Sequence, residues 1–453
     1  MTARDLSIIG AGHVGLVYAA GMAELGHRVA CIDIDVDRIE RLRRGELPIF
    51  EPGLDEAVCR HSASGRLRFS TSYEDALADA EFIFIAVSTP STPDGAADLR
   101  AVRAAARGIA AAVRGRRPII INKSTVPVGT GDSVDHILAS ADGHRPFKVV
   151  SNPEFLREGT ALHDFFHPDR IVLGSRDRAA AERVAALYEG VNAPVLVTDV
   201  KTAEMIKYAS NAFLATKISF INEIAEICEA VGADAAQVAA GMGLDARIGG
   251  HFLRHGIGFG GSCLPKDVRA LAYMGSVFGT HPQLLNAVLQ INAAQRRRVL
   301  QKVRTALGQL DGARICVLGL AFKPNTDDVR DAPAIDLIRL FLNEGADVTA
   351  YDPQAMTKTA VICPDAAYFA SPYDAAAGCD AIIVATEWPE FQDLDLGRLR
   401  AAAARPIFVD GRGFLDRDAI EEAGFTLISG RDDASSAPVS ARDRNGRAVG
   451  VSA

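Results

Sequence analysis

The stretch LSIIGAGHVG, residues 6–15, decides the fold. Its first half, residues 6–10, is a short apolar run typical of a buried strand, and residues 14–25 follow with the apolar spacing of a helix. A second apolar run, residues 28–34, completes a strand–helix–strand unit. The turn between the first strand and the helix has the spacing Gly-x-Gly-x-x-Gly, which places a dinucleotide pyrophosphate at a helix N-terminus.

The glycine-rich turn and the end of the second strand together predict a cofactor site. In the turn, one glycine bends the chain, one lets the backbone approach the pyrophosphate, and one allows close helix packing. The predicted contacts in the turn are Gly10, Gly12, Val14 and Gly15. Asp33, at the end of the second strand, is suited to accept hydrogen bonds from the ribose hydroxyls. Its carboxylate would repel a 2′-phosphate, which favours NAD over NADP, although Arg38 would soften that exclusion.

Further apolar runs indicate the rest of a parallel sheet. Residues 82–87, 118–122 and 148–151 read as strands, and they alternate with alanine-rich helical stretches such as residues 99–113. We therefore predict one doubly wound NAD-binding domain over residues 1–200.

The remaining chain predicts a helical segment followed by a second sheet. Residues 202–231 form an amphipathic pattern without proline, and its apolar stripe consists of Ile206, Ala209, Phe213, Ile218, Ile221 and Ile224. A glycine-rich loop and another helical stretch, residues 284–307, come next. The last strand-like runs are residues 314–319, 347–351, 381–385 and 406–410.

The predicted fold class is therefore α/β, with two Rossmann-like doubly wound parallel-sheet domains joined by a long helical segment. We assign residues 201–307 to a central helical domain that contains the glycine-rich loop, and residues 308–430 to the second sheet domain. Residues 431–453 are rich in serine, aspartate, arginine and glycine, and we expect them to be disordered.

Composition and charge exclude several classes of protein. The 453 residues carry a net charge of −8, which gives no basic surface for nucleic acid or acidic membranes. No apolar run reaches the roughly 18 residues of a membrane span, and the start of the chain lacks a signal-peptide pattern, so we expect a cytoplasmic protein. The seven cysteines contain no Cys-x-x-Cys pair, so we expect reduced thiols and no metal site.

Cys263 differs from the other cysteines because it follows a glycine-rich loop, residues 256–261. Such glycines let a ligand approach the backbone, and the adjacent Lys266 favours the thiolate, so Cys263 is a candidate nucleophile. We expect the remaining cysteines to fill packing positions. They are Cys31, Cys59, Cys228, Cys316, Cys363 and Cys379.

At this point a set of ordered motifs carries a family resemblance. They are EPGL at 51–54, KSTVPVG at 123–129, NPEFLREG at 152–159, KYASN at 207–211, the Cys263 loop, GLAFKPNTDDVR at 319–330 and TEW at 386–388. Over nearly its whole length the chain resembles the UDP-glucose/GDP-mannose dehydrogenase family.

The resemblance implies a four-electron oxidation of UDP-glucose to UDP-glucuronate by two NAD in succession. Cys263 would capture the intermediate aldehyde as a thiohemiacetal, which becomes a thioester that water hydrolyses. Lys207 and Asn211, four residues apart on one helix, would stabilise the oxyanion. Glu154 would act as a general base and order the water, and Asp267 would help to activate that water.

The resemblance also implies that the second sheet domain, residues 308–430, binds the nucleotide end of the UDP-sugar, and it implies individual ligand contacts. The remaining cofactor contacts would be Thr89, Thr125, Glu158, Lys266 and Arg330. Of these, Thr125 and Glu158 would contact cofactor or water, and Thr125 is also a predicted catalytic residue. The substrate contacts would be Glu154, Phe155, Leu156, Lys207, Asn211, Arg247, Phe252, Gly256, Gly260 and Lys323. Arg247 would reach the substrate phosphates of a neighbouring subunit, so the resemblance implies a homodimer.

Several alternatives stay open at this stage. GDP-mannose oxidation is the nearest, because Leu264 follows the cysteine as in the GDP-mannose enzymes, whereas residues 152–159 and 386–391 favour UDP-glucose. Ser262 weighs against N-acetylated UDP-sugars, whose enzymes tend to have histidine there. Single-step oxidation of a hydroxy acid and a nucleotide-sugar sensor without turnover are the alternatives from other classes. Residue by residue, helix capping is the alternative for Asp267, and a surface salt bridge is the alternative for Glu154 and Glu158. A solvated loop charge is the alternative for Lys323 and Arg330, and an ordinary surface arginine is the alternative for Arg247.

Overall fold

The computed structural model describes residues 2–113, 115–141, 143, 146–428, 441–442 and 448–449. The chain forms two units, the first containing Met1–Ser210 and Arg269–Thr280, the second Asn211–Val268 and His281–Ala453. The predicted fold class is confirmed, since each unit is built on a largely parallel sheet and one long helix runs through the boundary at residue 210.

The sheet of the first unit is covered on both faces. Its strands are β1 (Asp5–Ile9), β2 (Arg28–Ile32), β3 (Leu67–Ser70), β4 (Phe82–Ile85), β5 (Ile119–Asn122), β6 (Val149–Ser151), β7 (Ile171–Ser175) and β8 (Val195–Thr198). Their order is β3-β2-β1-β4-β5-β6-β7-β8, and neighbours are parallel except β6 and β7. Ile8 and Phe84 pack into one core cluster, whereas Ile9 and Ile85 pack into the other. Such continuously apolar strands are those of a sheet buried between two helical layers.

Helices connect these strands. They are α1 (His13–Glu24), α2 (Val36–Arg43), α3 (Leu54–Ala63), α4 (Tyr73–Leu77), α5 (Arg100–Ala112), α6 (Thr130–Ala141), α7 (Ala161–Phe166) and α8 (Arg178–Ala185), with a 3₁₀ turn at Ala186–Tyr188. The strand order reverses between β1 and β4, and ligands of doubly wound sheets bind at the carboxyl ends of the strands at such a point.

The predicted long helix is α9 (Val200–Val231). Its predicted apolar stripe does not form one buried face, because Phe213 is 65% exposed while Ile221 is fully buried. Small residues such as Ala203 and Ala215 occupy buried positions of α9 instead.

The second unit contains further helices and the second sheet. The helices are α10 (Ala235–Gly243), α11 (Leu264–Val277), which crosses into the first unit, α12 (Gln283–Leu307), α13 (Pro333–Asn343), α14 (Met356–Ile362), α15 (Pro372–Ala375), α16 (Leu396–Ala402) and α17 (Arg417–Glu422), with a 3₁₀ turn at Pro389–Phe391. The strands are β9 (Arg314–Leu318), β10 (Asp347–Tyr351), β11 (Ala367–Tyr368), β12 (Ala381–Val384), β13 (Ile407–Asp410) and β14 (Thr426–Leu427). They are parallel, in the order β11-β10-β9-β12-β13-β14.

The predicted disordered tail, residues 431–453, lies largely outside the described residues. Within it, β15 (Ala441–Arg442) pairs antiparallel with β16 (Ala448–Val449). Across the described ranges, no helix is both long and apolar enough to cross a membrane.

The cysteine predictions hold with one exception. Cys31, Cys228, Cys316, Cys363 and Cys379 are buried. Cys59 is exposed, so the prediction that it fills a packing position is wrong. It lies on the outer side of α3, whose buried residues include Leu54, Ala57, Val58 and His61.

Candidate active site

The turn after β1 is shaped by its glycines. Gly10 has φ 106°, and a Cβ there would lie 2.5 Å from the carbonyl oxygen of Ala86. A Cβ at Gly15 would collide with the carbonyl group of Gly10. At Gly12, by contrast, a Cβ would meet no described atom within 4 Å, so the space over its backbone is open to a ligand. Open space at the N-terminus of α1 fits a pyrophosphate.

Asp33 lies directly after β2 and is 8% exposed. Its Oδ2 accepts hydrogen bonds from the Ala11 amide at 2.8 Å and from Arg38 Nη1 at 3.0 Å. Its Oδ1 accepts one from the Asp35 amide at 3.0 Å. The neighbouring Ile34 is 84% exposed and offers apolar surface on which an adenine ring can pack. The sequence analysis assigned Ile34 no role, because an apolar residue at the end of a strand is more often a packing residue.

The predicted cofactor residues Thr89 and Thr125 contact one another. Thr89 Oγ1 donates a hydrogen bond to the carbonyl oxygen of Thr125 at 2.8 Å. Ser124 Oγ donates to the carbonyl oxygen of Val87 at 2.7 Å. The loops that follow β4 and β5 are therefore joined at the carboxyl edge of the first sheet, where a dinucleotide binds in this fold.

Glu154 and Lys207 form a buried ion pair, with Lys207 Nζ 3.3 Å from Glu154 Oε1. They are 5% and 3% exposed. The Leu156 amide donates to Glu154 Oε2 at 2.5 Å. Burial acts to raise the pKa of Glu154, but Lys207, the Leu156 amide and Lys123 outweigh it and hold that pKa below its usual value. Glu154 is therefore ionised near neutral pH.

A second buried lysine, Lys123, lies directly after β5, and the sequence analysis assigned it no role. Lys123 Nζ donates to Asn152 Oδ1 at 3.0 Å and lies 4.0 Å from the ring centroid of Tyr18. Tyr188 donates its hydroxyl hydrogen to the same Asn152 oxygen at 2.6 Å. Asn152 Nδ2 donates in turn to the carbonyl oxygen of Val172 at 2.9 Å. Burial drives the pKa of Lys123 well below its usual value.

Glu51 organises the loop that carries the half-buried Glu158. It accepts hydrogen bonds from the amides of Gly159 at 2.7 Å and Ala161 at 2.8 Å, at the start of α7. His13, in the glycine-rich turn, lies 3.1 Å from Glu51 Oε2. Glu51 thus connects the turn after β1 with the loop after β6.

In the second unit, Cys263 directly precedes α11, and Asp267 lies in the first turn of that helix. Asp267 is fully buried, and its amide donates to the Cys263 carbonyl at 2.9 Å. Its side chain accepts hydrogen bonds from Asn211 Nδ2 at 2.6 Å and from Lys266 Nζ at 2.5 Å. Ser262 Oγ lies 3.6 Å from the Cys263 sulfur. A helix N-terminus stabilises negative charge placed beside it, which suits a thiolate.

The loop before Cys263 is bonded to the second sheet through its backbone. The Ile257 amide donates to the carbonyl oxygen of Gly411, and the Gly261 amide donates to that of Arg330, each at 2.9 Å. Arg412 Nη1 donates to the carbonyl oxygen of Gly258 at 3.0 Å. These contacts reach residues after β13 and β9, at the carboxyl edge of the second sheet.

The same contacts explain why glycine stands at two predicted substrate positions. A Cβ at Gly256 would lie 2.5 Å from the carbonyl oxygen of Gly411, and a Cβ at Gly260 would collide with that of Asp331. Both glycines therefore have a packing reason, whatever ligand they contact. Phe252, another predicted substrate residue, has φ 65° and is 38% exposed.

The predicted cationic contacts differ in exposure. Lys323 is half-buried in the loop after β9. The side chain of Arg330 is 62% exposed and makes a bidentate pair with Asp328, with Nη2 2.6 Å from Oδ2. The side chain of Arg247 is 88% exposed, and its Nη2 lies 2.6 Å from Asp245 Oδ2. Both arginines are exposed enough to exchange these partners for a phosphate.

Comparison with protein families gives three consecutive matches. Residues 4–192 match the NAD binding domain of the UDP-glucose/GDP-mannose dehydrogenase family. Residues 201–294 match its central domain, and residues 316–417 match its UDP binding domain.

Individual proteins resemble the chain over most of its length. A UDP-glucose 6-dehydrogenase of Bacillus subtilis is 46% identical over 428 residues, covering 94% of this chain and 93% of that protein. A UDP-glucose dehydrogenase structure from Pyrobaculum islandicum superposes with a TM-score of 0.89 at 44% identity, covering 95% and 98% of the two chains. A UDP-D-ManNAc dehydrogenase structure from Pyrococcus horikoshii gives a TM-score of 0.83 at 27% identity, covering 93% and 98%.

Proposed function

The chain belongs to the UDP-glucose/GDP-mannose dehydrogenase family, and we propose that it oxidises the C6 alcohol of UDP-glucose to the carboxylate of UDP-glucuronate. The enzyme is NAD-dependent. The observation that carries the proposal is the arrangement around Cys263. Asp267, one helical turn after the thiol, is fully buried and accepts a hydrogen bond from the side-chain amide of Asn211. A thiol is required only when oxidation continues past the aldehyde.

Cys263 converts two separate oxidations into one continuous reaction. The turn after β1 and Asp33 would hold NAD, which would supply the hydride acceptor for each of the two oxidations. After the first, the Cys263 thiolate forms a C–S bond to the aldehyde carbon, and the carbonyl electron pair becomes an oxyanion. Loss of the second hydride gives a thioester, and attack by water breaks the C–S bond and returns the thiolate. Overall, the alcohol, two NAD⁺ and one water give the carboxylate, two NADH and three protons.

Lys207 and Asn211 are suited to stabilise that oxyanion. They lie one turn apart on α9 and are 3% and 7% exposed. An ammonium group and an amide N–H placed in a site with little water lower the energy of a developing oxyanion without reorganisation. Because Asp267 accepts one Asn211 N–H, the second N–H is left to donate to the substrate.

Glu154 is the proposed general base of the reaction. Its pKa is held below the usual value, so it is ionised and able to accept a proton from the attacking water. We keep the predicted cofactor contacts Thr89, Thr125, Glu158, Lys266 and Arg330, and the predicted substrate contacts Phe155, Leu156, Phe252, Gly256, Gly260 and Lys323, as parts of the proposal.

A homodimer formed through α9 is a further part of the proposal. Phe213, Phe220 and Ile227 recur at intervals of seven residues and are 65%, 43% and 54% exposed, and Val231 continues the stripe at 71%. Apolar residues at seven-residue spacing on a long helix favour pairing with a second helix. A second copy of the chain is the proposed occupant, and the exposed Arg247 is then available to the phosphates of the partner's substrate.

We also propose a cytoplasmic location. The seven cysteines all carry free thiols, as expected in a reducing compartment.

The experiment that tests the activity is NADH formation by the purified protein with UDP-glucose, GDP-mannose and N-acetylated UDP-sugars. We expect two NADH per UDP-glucose consumed and only slow turnover of the other sugars. A ratio near one would indicate a single-step alcohol dehydrogenase. Faster turnover of GDP-mannose or of an N-acetylated UDP-sugar would reassign the substrate, and tight binding without NADH would indicate a sensor.

A further inference from the structure

Glu204 is a buried acid that the reaction described above does not use. It lies in the first turns of α9 and is 2% exposed. Its Oε2 accepts a hydrogen bond from the Gly129 amide at 2.6 Å, and its Oε1 accepts one from the Gly131 amide at 2.8 Å. These amides belong to the start of α6, so a side chain of α9 caps a different helix.

The two helices meet closely at this point. A Cβ at Gly131 would lie 2.6 Å from Val200 Cγ1 and 3.3 Å from Glu204 Oε1. Glycine is therefore required at residue 131 for the amide to reach the carboxylate. A buried carboxyl group is costly unless its oxygens are hydrogen-bonded, and here both oxygens accept a backbone amide.

Glu204 holds one end of the loop that carries Thr125. The loop follows β5, and its last residue is Gly129. Its first residue is Lys123, which donates to Asn152 at 3.0 Å. Thr125 lies between the two attachments, and its carbonyl oxygen accepts from Thr89 at 2.8 Å. The loop is thus attached at both ends.

The two attachments connect the Thr125 loop to the buried ion pair of Lys207 and Glu154. Asn152, which binds the first residue of the loop, is two residues before Glu154. Glu204, which binds the last residue, is three residues before Lys207 on α9. Because residues three apart on a helix share one face, Glu204 and Lys207 project towards the same side. The ion pair of Lys207 with Glu154 at 3.3 Å completes a ring of contacts within the first unit.

We propose that Glu204 is a positioning residue that sets the place of Thr125 relative to the Lys207–Glu154 pair. The inference rests on the proposed function, in which all three residues act on cofactor, water or substrate. Without the two hydrogen bonds, the Thr125 loop would be free to move away from α9, while the substrate would still bind. A shift of about 1 Å in a reacting group can lower turnover by about 100-fold, so the loss should appear in kcat.

The test is Glu204→Gln in the full-length protein, assayed with UDP-glucose and NAD at about pH 8.5. Burial raises the pKa of Glu204 to about 7, so the acid of the unmodified protein is ionised in this assay. The amide keeps the shape of the side chain but turns an N–H₂ group towards one of the two backbone amides. We expect kcat to fall about 10-fold or more, with the KM for UDP-glucose within about twofold of the unmodified protein. The matched control is Glu182→Gln on α8, whose side chain is 59% exposed, and it should leave both constants unchanged.

A double-mutant cycle with Thr125→Ala separates positioning from general loss of stability. If Glu204 acts through Thr125, adding Glu204→Gln to Thr125→Ala should lower kcat by less than about twofold. The inference would be overturned if Glu204→Gln lowered kcat by the same factor in the unmodified protein and in Thr125→Ala. An unchanged kcat in Glu204→Gln alone would also overturn it. If the unmodified protein forms no NADH from any nucleotide sugar, the proposed function itself fails, which is a different outcome.

A second variant probes the same contact from the side of α6, for use if Glu204→Gln does not fold. Gly131→Ala combined with Val200→Ala removes the closer clash and leaves the new methyl group 3.3 Å from Glu204 Oε1. We expect the same fall in kcat with little change in KM, and the same loss of effect when Thr125 is alanine. Val200→Ala alone is the control, and a double variant as active as that control would contradict the inference.

Discussion

The side-chain amide of Asn211 donates a hydrogen bond of 2.6 Å to Asp267, a carboxylate with no exposed surface. This bond fixes which end of the Asn211 amide faces Asp267, and therefore where its second N–H points. Lys266 Nζ contacts the other Asp267 oxygen at 2.5 Å. The carboxylate thus orients two donors while its own charge is compensated by one cation.

Asn211→Asp should be far more damaging than its small change in size indicates. The variant places a second carboxyl group beside Asp267 and removes the N–H that we propose as a donor to the oxyanion. We expect kcat/KM for UDP-glucose to fall by about 100-fold or more, measured as NADH formation. Asn286→Asp, at an exposed position of α12, is the matched control. Near-normal turnover by Asn211→Asp would remove Asn211 from the proposed oxyanion site.

Cys263→Ser should stop turnover while leaving ligand binding intact. A serine hydroxyl is far less ionised than a thiol, and its ester expels the alkoxide less readily, so we expect kcat to fall by about 1,000-fold or more. Calorimetric affinities for NAD and UDP-glucose should stay within about threefold, and intact-mass measurement should detect any trapped adduct. Cys59→Ser, at an exposed thiol on α3, is the control. Steady production of UDP-glucuronate by Cys263→Ser would show that the thiol is not the nucleophile.

Asp33→Ala should weaken the cofactor selectively. The carboxylate accepts hydrogen bonds from the Ala11 amide and Arg38, so its loss removes both the proposed ribose acceptor and the support of the glycine-rich turn. We expect the KM for NAD to rise by about 10-fold or more with the KM for UDP-glucose unchanged. Asp37→Ala, at an exposed position of α2, is the comparison with the same change in charge. Equal losses for both ligands would count against the assignment of Asp33 to NAD.

The stability of the protein should carry a pH dependence that comes from Glu204. Burial raises the pKa of Glu204 from its ordinary 4.5 to about 7, against the opposing effect of the Gly131 and Gly129 amides. Between these values the folded chain holds a proton that the unfolded chain has released, so this contribution to stability falls as pH rises and is level above about pH 7. Glu204→Gln lacks this titration.

The Tm of the unmodified protein minus that of Glu204→Gln should therefore be larger at about pH 5 than at about pH 8. The corresponding difference for Glu182→Gln should not change across this window. A gap for Glu204→Gln that stays level between about pH 5 and pH 8 would show that the pKa of the acid is not raised, because a lowered pKa changes the stability only below the ordinary 4.5.

Phe220→Glu should dissociate the proposed homodimer. The substitution places a charge in the middle of the exposed apolar stripe of α9, where Phe220 is 43% exposed. We expect sedimentation velocity to show a monomer where the unmodified protein is a dimer, because burying an unpaired carboxylate in an apolar contact costs several kcal/mol. Val361→Glu, at a position of α14 that is 83% exposed, should leave the dimer intact. A monomeric unmodified protein would refute the dimer and the proposed contact of Arg247 with the substrate of the second copy, but not the proposed oxidation.

The sheets could be predicted because their central strands are continuous apolar runs. The predicted strand at 347–351 matches β10 to the residue, and the predicted helix at 202–231 begins two residues late. Strands such as β11 and β14 are two residues long, which is too short for a periodic pattern. The antiparallel pairing of β6 with β7 could not be predicted either, because the composition of an apolar strand does not indicate whether its neighbour runs parallel or antiparallel to it.

The site was predictable only in part, for a related reason. The four-residue spacing of Lys207 and Asn211 is local and visible in the sequence. The contacts of Glu204 with Gly129 and Gly131 join residues 75 and 73 positions apart, and no local pattern indicates them. The prediction for Cys59 was wrong for a different reason. Cysteines are buried on average, but the exposed face of a helix can also hold one.

The backbone bonds of the Cys263 loop also bear on how the enzyme can be engineered. The amides of Ile257 and Gly261 donate to the carbonyl groups of Gly411 and Arg330. The conformation of the loop therefore depends on residues that are synthesised about 70 to 150 positions later. A fragment ending after α12 would lack these acceptors. For the same reason, a chimera that takes its carboxy-terminal domain from a relative should take residues 256–263 from that relative as well. The junction for such domain exchange therefore belongs ahead of residue 256, not at the apparent linker before β9.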